Sequence, residues 1–536
     1  MMHPLLIFLL PFWFARNIKY ILFWIYLWQL KQYHRARFRD HFKTGQGKKL
    51  IFSPVLIIKV AVLFFAITLG FVFPGYYLLF FPILLFLLYF LESLLYFKSF
   101  FGRRTKIPAL TAKTALLIFV SLVVTALWPF LISLFVGSIF WFCVLILSFD
   151  ILLPVVVSLI VVILQPLADY HRRSVQKKAG EKMKSLSDNG KNMTIIAITG
   201  SYGKTSTKEY LTDILSSKFK VLSTKEHQNA EIGIAGSILN NLKPEHDIFI
   251  VEMGAYDKGK IKEICDFVKP DIGIVTGVNE QHLSLFGSMD NLLSGEGGRE
   301  LLDCLPKDGL LVVNGENDYC MDLYKKAKIK KISYTVDSNI IKNVKIKTDS
   351  VFFAIGNIPF DVNILGRHNL LNFLGAVTVA RELGMSFEEI AKASRKINTK
   401  NSSFKVWKSE DGFNMIDSTY SANPDGVFAD LEYLKLFPGK KVIVMPCLIE
   451  LGRASKGAHE RIGKKIAEIC DLAIITSEEF FAEIKNGAAS KKMAGEKILF
   501  MADTNLIVGK LRSFCRENDS ILLEGRISKN IADSLK

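Results

Sequence analysis

The sequence predicts a multi-span α-helical membrane region followed by two α/β domains. Before residue 170 the chain carries long apolar runs, and after residue 193 short apolar strands alternate with helical stretches. Runs of roughly 20 apolar residues can cross a bilayer, and strands that alternate with helices are typical of parallel βαβ units in a doubly wound sheet. We therefore divide the chain into a transmembrane region (1–170), a juxtamembrane linker (171–192) and two α/β domains (193–400 and 401–536).

The membrane region contains three apolar runs, which predict about five spans. The runs cover residues 5–30, 55–97 and 116–167. Arg16 and Lys19 interrupt the first run, so two short half-crossings are an alternative to one span there. Asp150 is an acid inside the last run, where it marks either a functional site or a position at a helix end or facing a neighbouring helix.

Basic segments next to the apolar runs set the topology. These segments cover residues 31–49, 98–106 and 172–178. Lys and Arg accumulate on the cytoplasmic side of membrane proteins, so an even number of crossings must separate the segments. The hairpins then turn near Pro74-Gly75 and near Gly137-Ser138. The predicted location is the cytoplasmic membrane, with several spans in contact with lipid and both α/β domains in the cytosol.

The overall charge and the cysteines add little to a functional assignment. The formal net charge is +17, but much of the basic clustering lies beside the spans, where topology and anionic headgroups account for it. We therefore expect no nucleic-acid partner. The seven cysteines form no C-x-x-C pair and are expected to be reduced cytosolic thiols.

A glycine-flanked loop with a Lys-Thr pair joins the first predicted strand (194–199) to a helix. The loop consists of Gly200, Ser201, Tyr202, Gly203, Lys204, Thr205 and Ser206. Backbone N–H groups at such a helix N-terminus bind phosphate. Lys204 would neutralise the outer phosphates of ATP, and the Thr205 hydroxyl would bind Mg²⁺. The alternative is a glycine turn that caps an ordinary helix.

Polar residues follow the next predicted strands, 248–253 and 272–276. Glu252 closes the first of these, and His282 comes soon after the second. Ligands of open α/β sheets gather at the carboxyl ends of the strands, so Glu252 is placed to serve a phosphate-bound Mg²⁺. Taken singly, Glu252 could instead be a solvated glutamate and His282 a packed histidine. Further strands are predicted at 310–314, 415–417, 441–446, 472–476, 498–501 and 520–524.

Taken together and in order, the motifs from Thr199 to Arg526 resemble the Mur ligase family. The matching segments are 199–206, Asn229 with Gly233, 251–254, 282–283, 286–288, 366–369 with Asn372, 416–424, 450–452 with Ser455 and His459, and 524–526. The resemblance implies a P-loop central domain and a Rossmann-like C-terminal ligase domain. It also implies ATP-dependent, Mg²⁺-assisted amide ligation through an acyl phosphate in peptidoglycan precursor synthesis.

The resemblance assigns roles residue by residue. The implied catalytic residues are Lys204, Glu252, His282 and Glu296, and the implied metal ligands are Thr205, Glu252 and His282. Further residues would contact the nucleotide beside the loop, namely His368, Asn369, Asn372 and Asp417. The expected substrate contacts are Asn229, Tyr420 and Asn423.

The sequence departs from the family in three respects. Glu296 stands where Mur ligases usually carry a carbamoylated lysine, either as its replacement or as a solvated glutamate. Ser403 and Ser418 replace an arginine and an aspartate of the C-terminal domain, and Lys405 is a candidate for part of the lost phosphate contact. Finally, membrane spans replace the usual domain that binds uridine diphosphate.

The implied partners are a muramyl-peptide precursor, soluble or lipid-linked, and a D-alanyl-D-alanine-like acceptor. Another amino-acid acceptor is the alternative within the family. The spans are either a plain anchor or a device that presents a lipid-linked donor near the basic segment 31–49. Two other classes stay open, an NTPase-coupled membrane transporter and a non-catalytic cell-wall scaffold.

Overall fold

The computed structural model describes residues 4–42, 45–72, 80–102, 106–188, 193–225, 228–397, 404–420 and 422–536. The chain forms two compact units, Met1–Arg172 and Arg173–Lys536. The turn predicted at Pro74-Gly75, Ser403 and part of the basic segments lie outside the described residues.

The first unit is helical. Its helices are α1 (Pro4–Leu30), α2 (Arg35–His41), α3 (Gly45–Ile51), α4 (Pro54–Val72), α5 (Phe80–Phe101), α6 (Ala112–Phe135) and α7 (Ile139–Ile163), followed by α8 (Gln165–Asp188). Within the described residues, five helices are long and apolar enough to cross a membrane, judged by length and composition. The predicted turn at Gly137-Ser138 separates α6 from α7.

The membrane-length helices carry large apolar side chains on both their inner and outer faces. Trp13, Leu85 and Phe140 are buried between helices, whereas Phe71 and Phe135 are 75% and 86% exposed. An apolar exterior of this kind is unfavourable in water and favourable against lipid tails. The structure thus has the apolar multi-helix region of the predicted fold class.

Helix α1 is continuous through Arg16, so the structure does not show the alternative of two half-crossings. Arg16 is 3% exposed and belongs to an ion-pair cluster formed by one residue from each of α1, α4, α5 and α7. Arg16 pairs with Asp150 and, at 3.2 Å, with Glu92. The Lys59 Nζ lies 2.6 Å from the Glu92 carboxylate and 2.8 Å from that of Asp150. Asp150 therefore faces neighbouring helices, and two cations are balanced by two anions.

The second unit begins with a parallel sheet between helices. Its strands are β1 (Thr194–Thr199), β2 (Val221–Ser223), β3 (Ile248–Glu252), β4 (Ile272–Val275), β5 (Leu310–Asn314) and β6 (Lys330–Tyr334). Its helices are α9 (Lys204–Leu215), α10 (Glu231–Asn241), α11 (Lys260–Val268), α12 (Leu283–Phe286), α13 (Met289–Ser294), α14 (Arg299–Cys304), α15 (Asp318–Lys326), α16 (Arg367–Glu382) and α17 (Phe387–Ser394). Among the described strands the order is β2-β3-β1-β4-β5-β6, and apolar clusters cover both faces.

An antiparallel sheet of β7 (Ile341–Ile346), β8 (Val351–Ile355) and β9 (Ile358–Val362) is added to this domain. The sequence pattern does not predict this sheet. Strand β7 is mostly exposed, so it lacks the apolar run that marks a buried parallel strand. Phe353 and Phe360 anchor the small sheet by stacking on each other at 5.0 Å and packing edge-on against Phe373 of α16.

A second sheet forms the C-terminal domain. Its strands are β10 (Lys405–Lys408), β11 (Asn414–Ser418), β12 (Lys441–Met445), β13 (Leu472–Ile475), β14 (Ile498–Phe500) and β15 (Ser520–Glu524). Its helices are α18 (Pro424–Leu434), α19 (Ser455–Ile469), α20 (Phe481–Ser490), α21 (Thr504–Phe514) and α22 (Lys529–Asp533). Over the described part of the domain the order is β10-β11-β15-β12-β13-β14, with β10 antiparallel and the others parallel. The predicted fold class, an apolar helical region followed by two α/β domains, is confirmed.

Candidate active site

The phosphate loop lies between β1 and α9, near the middle of the first sheet. Gly203 caps α9 with a φ of +77°, a left-handed conformation that glycine adopts without strain. A Cβ on Gly203 would lie 2.3 Å from the Oδ1 atom of Asn372, so this glycine lets α16 approach the loop. The structure therefore brings Asn372, a predicted nucleotide contact, directly against the loop.

The loop is held by the segment that follows β4. The backbone N–H of Ser201 donates to the carbonyl of Gly277 at 2.7 Å, and the Thr276 hydroxyl donates to the carbonyl of Tyr202. The Tyr202 ring packs over Gly277, where a Cβ would lie 2.3 Å from the ring. Burial raises the pKa of Tyr202, so its hydroxyl stays protonated. Tyr202 thus helps to fix the shape of the loop by packing against Gly277.

Lys204 is the first residue of α9, and its ammonium group donates to the carbonyl of Gly200 across the loop. Thr205 follows, and its hydroxyl donates to a carboxylate oxygen of Glu252 at 3.2 Å. Register places Glu252 beside Ile198, at the carboxyl end of β3. The expected convergence of the loop with the end of the neighbouring strand is present.

Glu252 is 5% exposed and receives several donors. Besides Thr205, the Asn229 amide donates to it at 3.2 Å, and the Lys208 ammonium group lies 3.2 Å away. Burial alone would raise the pKa of the carboxyl, but the charges of Lys208 and Lys204 and the Asn229 hydrogen bond outweigh burial and lower it. Glu252 is therefore held as a carboxylate beside the loop.

His282 and Glu296 also meet beside the loop. The Nδ1 atom of His282 lies 3.0 Å from one Glu296 carboxylate oxygen, and the Ser201 hydroxyl donates to the other at 3.1 Å. Glu296 is 1% exposed, which removes the alternative of a solvated glutamate. Burial by itself would raise the pKa of Glu296, but the charge and hydrogen bond of His282 and the charge of Lys204 lower it.

The oxygen atoms of the Thr205 hydroxyl and the Glu252 carboxylate are suitable ligands for Mg²⁺. In the described residues no group of three or more His, Cys, Asp and Glu side chains is arranged to hold a metal ion. That result excludes a metal cage made by such side chains alone over this part of the chain. Mg²⁺ in nucleotide sites needs only one or two protein oxygens, because phosphates and water supply the other ligands.

The expected nucleotide residues divide into two groups. On α16 the Asn369 amide lies 3.1 Å from the Nε2 atom of His368, and Asn372 lies 3.5 Å from Asn369. Burial lowers the pKa of His368, which keeps its ring neutral. Asp417 in contrast accepts hydrogen bonds from the backbone and hydroxyl of Thr419 in its own turn, at 2.9 and 2.6 Å.

The predicted substrate residues have different partners. Asn229 contacts Glu252, as described above. Asn423 precedes α18, and its Oδ1 accepts a 2.8 Å hydrogen bond from Asn279 of the first α/β domain. Tyr420 is 45% exposed, so its substrate role stays a prediction.

Four contact residues were not predicted as site residues. Lys208 lies one turn after Lys204 on α9, and that spacing is a signal the sequence offered. Asn279 follows β4 and bonds to Asn423 and, at 2.9 Å, to Asp425. Glu450 approaches His282 from the C-terminal domain, with 3.7 Å between its carboxylate and Nε2. Arg461 on α19 reaches Glu280 at 3.3 Å. The last three depend on contacts between domains, which a single sequence does not reveal.

Comparison with known families matches two consecutive models. Residues 198–380 match the Mur ligase middle domain, and residues 404–527 match the Mur ligase glutamate ligase domain. Together the two matches cover more than half of the 536 residues. The two matched segments contain every residue of the phosphate loop and all the residues that contact it in the paragraphs above.

Several curated relatives are named UDP-N-acetylmuramoyl-tripeptide–D-alanyl-D-alanine ligase. The one from Synechocystis sp. is 30% identical over 274 residues, which is 51% of this chain and 59% of the relative. The one from Borreliella burgdorferi is 31% identical over 53% of this chain and 62% of the relative. The chain thus spans about three fifths of the length of these curated relatives.

Solved structures show the same fold. MurF from Acinetobacter baumannii has a TM-score of 0.61 at 23% identity, covering 68% of this chain and 80% of that chain. MurF from Thermotoga maritima in complex with ADP has a TM-score of 0.56 at 24% identity, covering 68% and 82%. Because both domain models match in order and the predicted residues contact one another around the phosphate loop, the chain belongs to the Mur ligase family.

Proposed function

We propose that the protein is an ATP-dependent, ADP-forming ligase of peptidoglycan precursor synthesis. It joins a carboxylate of a muramyl peptide to the amine of D-alanyl-D-alanine. The observation that carries this proposal is the meeting of Lys204, the Thr205–Glu252 pair and the His282–Glu296 pair around one phosphate loop. The names of the curated relatives support the choice of donor and acceptor.

A carboxylate is a poor acyl donor, so the γ-phosphoryl group of ATP is first transferred to it, with release of ADP. The amine then attacks the acyl phosphate and forms the amide, with loss of inorganic phosphate and a proton. Little covalent work falls to the protein in the first step, which depends on positioning and on neutralising phosphate charge. Lys204 and the loop N–H groups supply that neutralisation. Thr205 and Glu252 would hold Mg²⁺, with His282 as the further predicted ligand, and a bound ion would supply additional positive charge at the phosphates. His368, Asn369 and Asn372 frame the purine, and Asp417 faces the nucleotide when the domains close.

Glu296 takes the part of the carbamoylated lysine that other members of the family carry. Its carboxylate is buried, lies 3.0 Å from His282, and needs no carbon dioxide. We expect Glu296→Gln to lower the ligation rate by about 10²-fold, because a neutral amide holds His282 and Ser201 less firmly and small misplacements of groups at a reaction site are costly. ADP formation at saturating substrates measures this effect.

Two further variants sharpen that prediction. Glu296→Lys should be weakly active and should gain activity when bicarbonate is added, because carbamoylation would restore a negative charge. Asp303→Asn on α14 replaces an exposed carboxylate nearby and should leave the rate unchanged. A Glu296→Gln rate within a factor of two of the parent would contradict the assignment.

The proposed location is the cytoplasmic membrane. The five apolar helices support several spans, and the adjoining basic segments favour a cytosolic position for the ligase domains, where ATP is available. Lipids would then contact the outward apolar faces. The membrane helices would serve as an anchor for soluble precursors or would present a lipid-linked donor.

The test is phosphate release from the full-length protein in detergent with ATP and Mg²⁺. UDP-linked and lipid-linked muramyl tripeptides are crossed with D-alanyl-D-alanine and with single amino acids. We expect release to require a muramyl donor and the dipeptide, and the preferred donor tells whether the helices only anchor the enzyme. Stimulation by a single amino acid but not by the dipeptide would show that a single amino acid is the acceptor. Steady hydrolysis without any acceptor would favour a transport ATPase.

A further inference from the structure

Two acids that the proposed mechanism does not use are buried at the carboxyl end of the second sheet. Glu524 closes β15, and Asp430 lies on α18, whose apolar side chains share one core cluster with that strand. Glu524 is 0% exposed and Asp430 is 3% exposed. A carboxylate buried so deeply is costly unless hydrogen-bond donors or a cation surround it.

Glu524 lacks such donors. Among the described residues, neither of its carboxylate oxygens has a hydrogen-bond partner as long as the neighbouring acids are ionised. The N–H of Gly525, the next residue, donates to the Ser418 carbonyl at 3.0 Å. The side chain within hydrogen-bonding reach of Glu524 is that of Asp430. Two ionised carboxylates cannot hydrogen-bond to each other, whereas a carboxylic acid can donate to a carboxylate.

The surroundings favour one proton on this pair. The titratable groups that face it are Asp417 of β11, His368 of α16 and Tyr433 of α18. Within the described part of the chain, His368 is the one basic side chain within 4.0 Å of either acid. Burial, and after it the charge and hydrogen bond of Asp430, raises the pKa of Glu524 well above its ordinary value. The pair therefore keeps a proton at pH values where an exposed glutamate is ionised.

Helix α18 also forms a wall beside a predicted nucleotide residue of the first α/β domain. The Nε2 atom of His368 lies 4.0 Å from a carboxylate oxygen of Asp430. One turn further along α18, Tyr433 packs edge-on against Phe404, whose ring packs edge-on against His368. A Cβ at Gly366 would lie 2.9 Å from the imidazole ring and 3.6 Å from the phenol ring, so both rings share a narrow space. The position of α18 therefore determines where the His368 ring lies.

We propose that Asp430 and Glu524 share one proton and that this acid pair, by holding α18 against β15, positions His368 at the nucleotide. The inference rests on the proposed ligase function, which gives His368 its nucleotide contact. With the proton present, a hydrogen bond joins the helix to the strand. When the proton is lost to a base in the solvent, two adjacent buried anions repel each other and push the helix from the strand. Both acids are positioning residues, because they act through His368.

The expected pH dependence follows from the proton that the folded pair retains. In the unfolded chain the Glu524 carboxyl ionises in its ordinary range, so its pKa is higher in the folded protein. The stability that the shared proton contributes is fully present below the ordinary range and is lost as the pH rises through the raised pKa. Buried glutamates with pKa values of about 8–9 are known, so a window from about pH 6 to about pH 9.5 suits the test.

The test compares the full-length parent in detergent with Glu524→Gln, whose amide donates to Asp430 without a titrating proton. For the parent we expect the KM for ATP to rise about tenfold across this window, the equivalent of one pKa unit, with a smaller change in kcat. The melting temperature without nucleotide should fall over the same window. For Glu524→Gln both profiles should be flatter and should stay near the values of the parent at low pH. Asp430→Asn, which places the amide on α18, should flatten both profiles in the same way.

Two further measurements separate a shared proton from a merely structural contact. The infrared difference spectrum between the parent and Glu524→Gln at neutral pH should contain the C=O stretch of a protonated carboxyl group. Glu517→Gln is the matched control, because its side chain is 73% exposed in the same domain, and its profiles should match those of the parent. Absence of the protonated carboxyl band, or a parent-like pH profile in Glu524→Gln, would overturn the inference. Failure of the proposed function would differ, since the parent would then show no donor-dependent turnover of ATP at any pH.

Discussion

Replacing Asp150 with leucine is expected to destabilise the helical region by about 3–5 kcal/mol. Asp150 is 2% exposed and pairs with Arg16 and Lys59, which are themselves 3% and 1% exposed. The substitution leaves two buried cations with one remaining anion, Glu92. An uncompensated buried charge is far more costly than the loss of a balanced pair.

Thermal unfolding in detergent, followed by tryptophan fluorescence, measures this loss. Five of the six tryptophans lie before residue 142, so the signal reports mainly on the helical region. The double variant Arg16→Met/Asp150→Leu keeps the 2.6 Å pair of Lys59 and Glu92 and should recover most of the stability. Asp169→Leu, at a partly exposed position on α8, should have little effect. If the single and double variants unfolded at the same temperature, that result would contradict charge balance as the cause of the lost stability.

Lys204→Ala is expected to lower ATP-dependent ligation by about 10²–10³-fold, the range for removing one preorganised group that stabilises developing charge. The ammonium group lies over the loop, bonded to the Gly200 carbonyl, and its charge acts on both Glu252 and Glu296. Removing it leaves two neighbouring carboxylates beside the phosphates with less positive charge to offset them.

ADP formation and the ATP dependence of thermal stability measure the two parts of this effect. We expect the rate to fall and the stabilisation by ATP to weaken, while the protein without nucleotide unfolds as before. Lys328→Ala, at an exposed position in the same domain, is the control and should behave as the parent. A fully active Lys204→Ala protein would instead support a non-catalytic scaffold.

Strand positions were predictable because buried parallel strands are short apolar runs. The limits of β1, β5 and β15 agree with the sequence prediction to the residue. Strands such as β7 and β10 are edge elements with exposed or charged side chains, so their pairing depends on partners far along the chain rather than on local pattern.

The convergence of candidate site residues was predictable where those residues follow directly from strand ends and from spacing. Glu252 and His282 are examples, since the ends of parallel strands lie at one edge of a sheet. Lys208 and Glu450 were missed for different reasons. Lys208 looks like an ordinary surface lysine until packing shows it 3% exposed beside Glu252. Glu450 reaches His282 only because two domains meet. The charged residues of α1, α4, α5 and α7 were likewise visible one by one in the sequence, but the sequence did not show that they form a cluster.

The buried ion pairs among α1, α4, α5 and α7 also constrain how the chain is made. Lys59 precedes Asp150 by 91 residues and Glu92 by 33, and Arg16 is synthesised earlier still. During translation the first cation-bearing helices therefore leave the ribosome before their anions exist. A lone Arg or Lys in a helix centre is costly in a bilayer. In the membrane location proposed above, the early helices would therefore stay in a protected or partly hydrated setting until α7 is complete, and the helical region would mature as one unit.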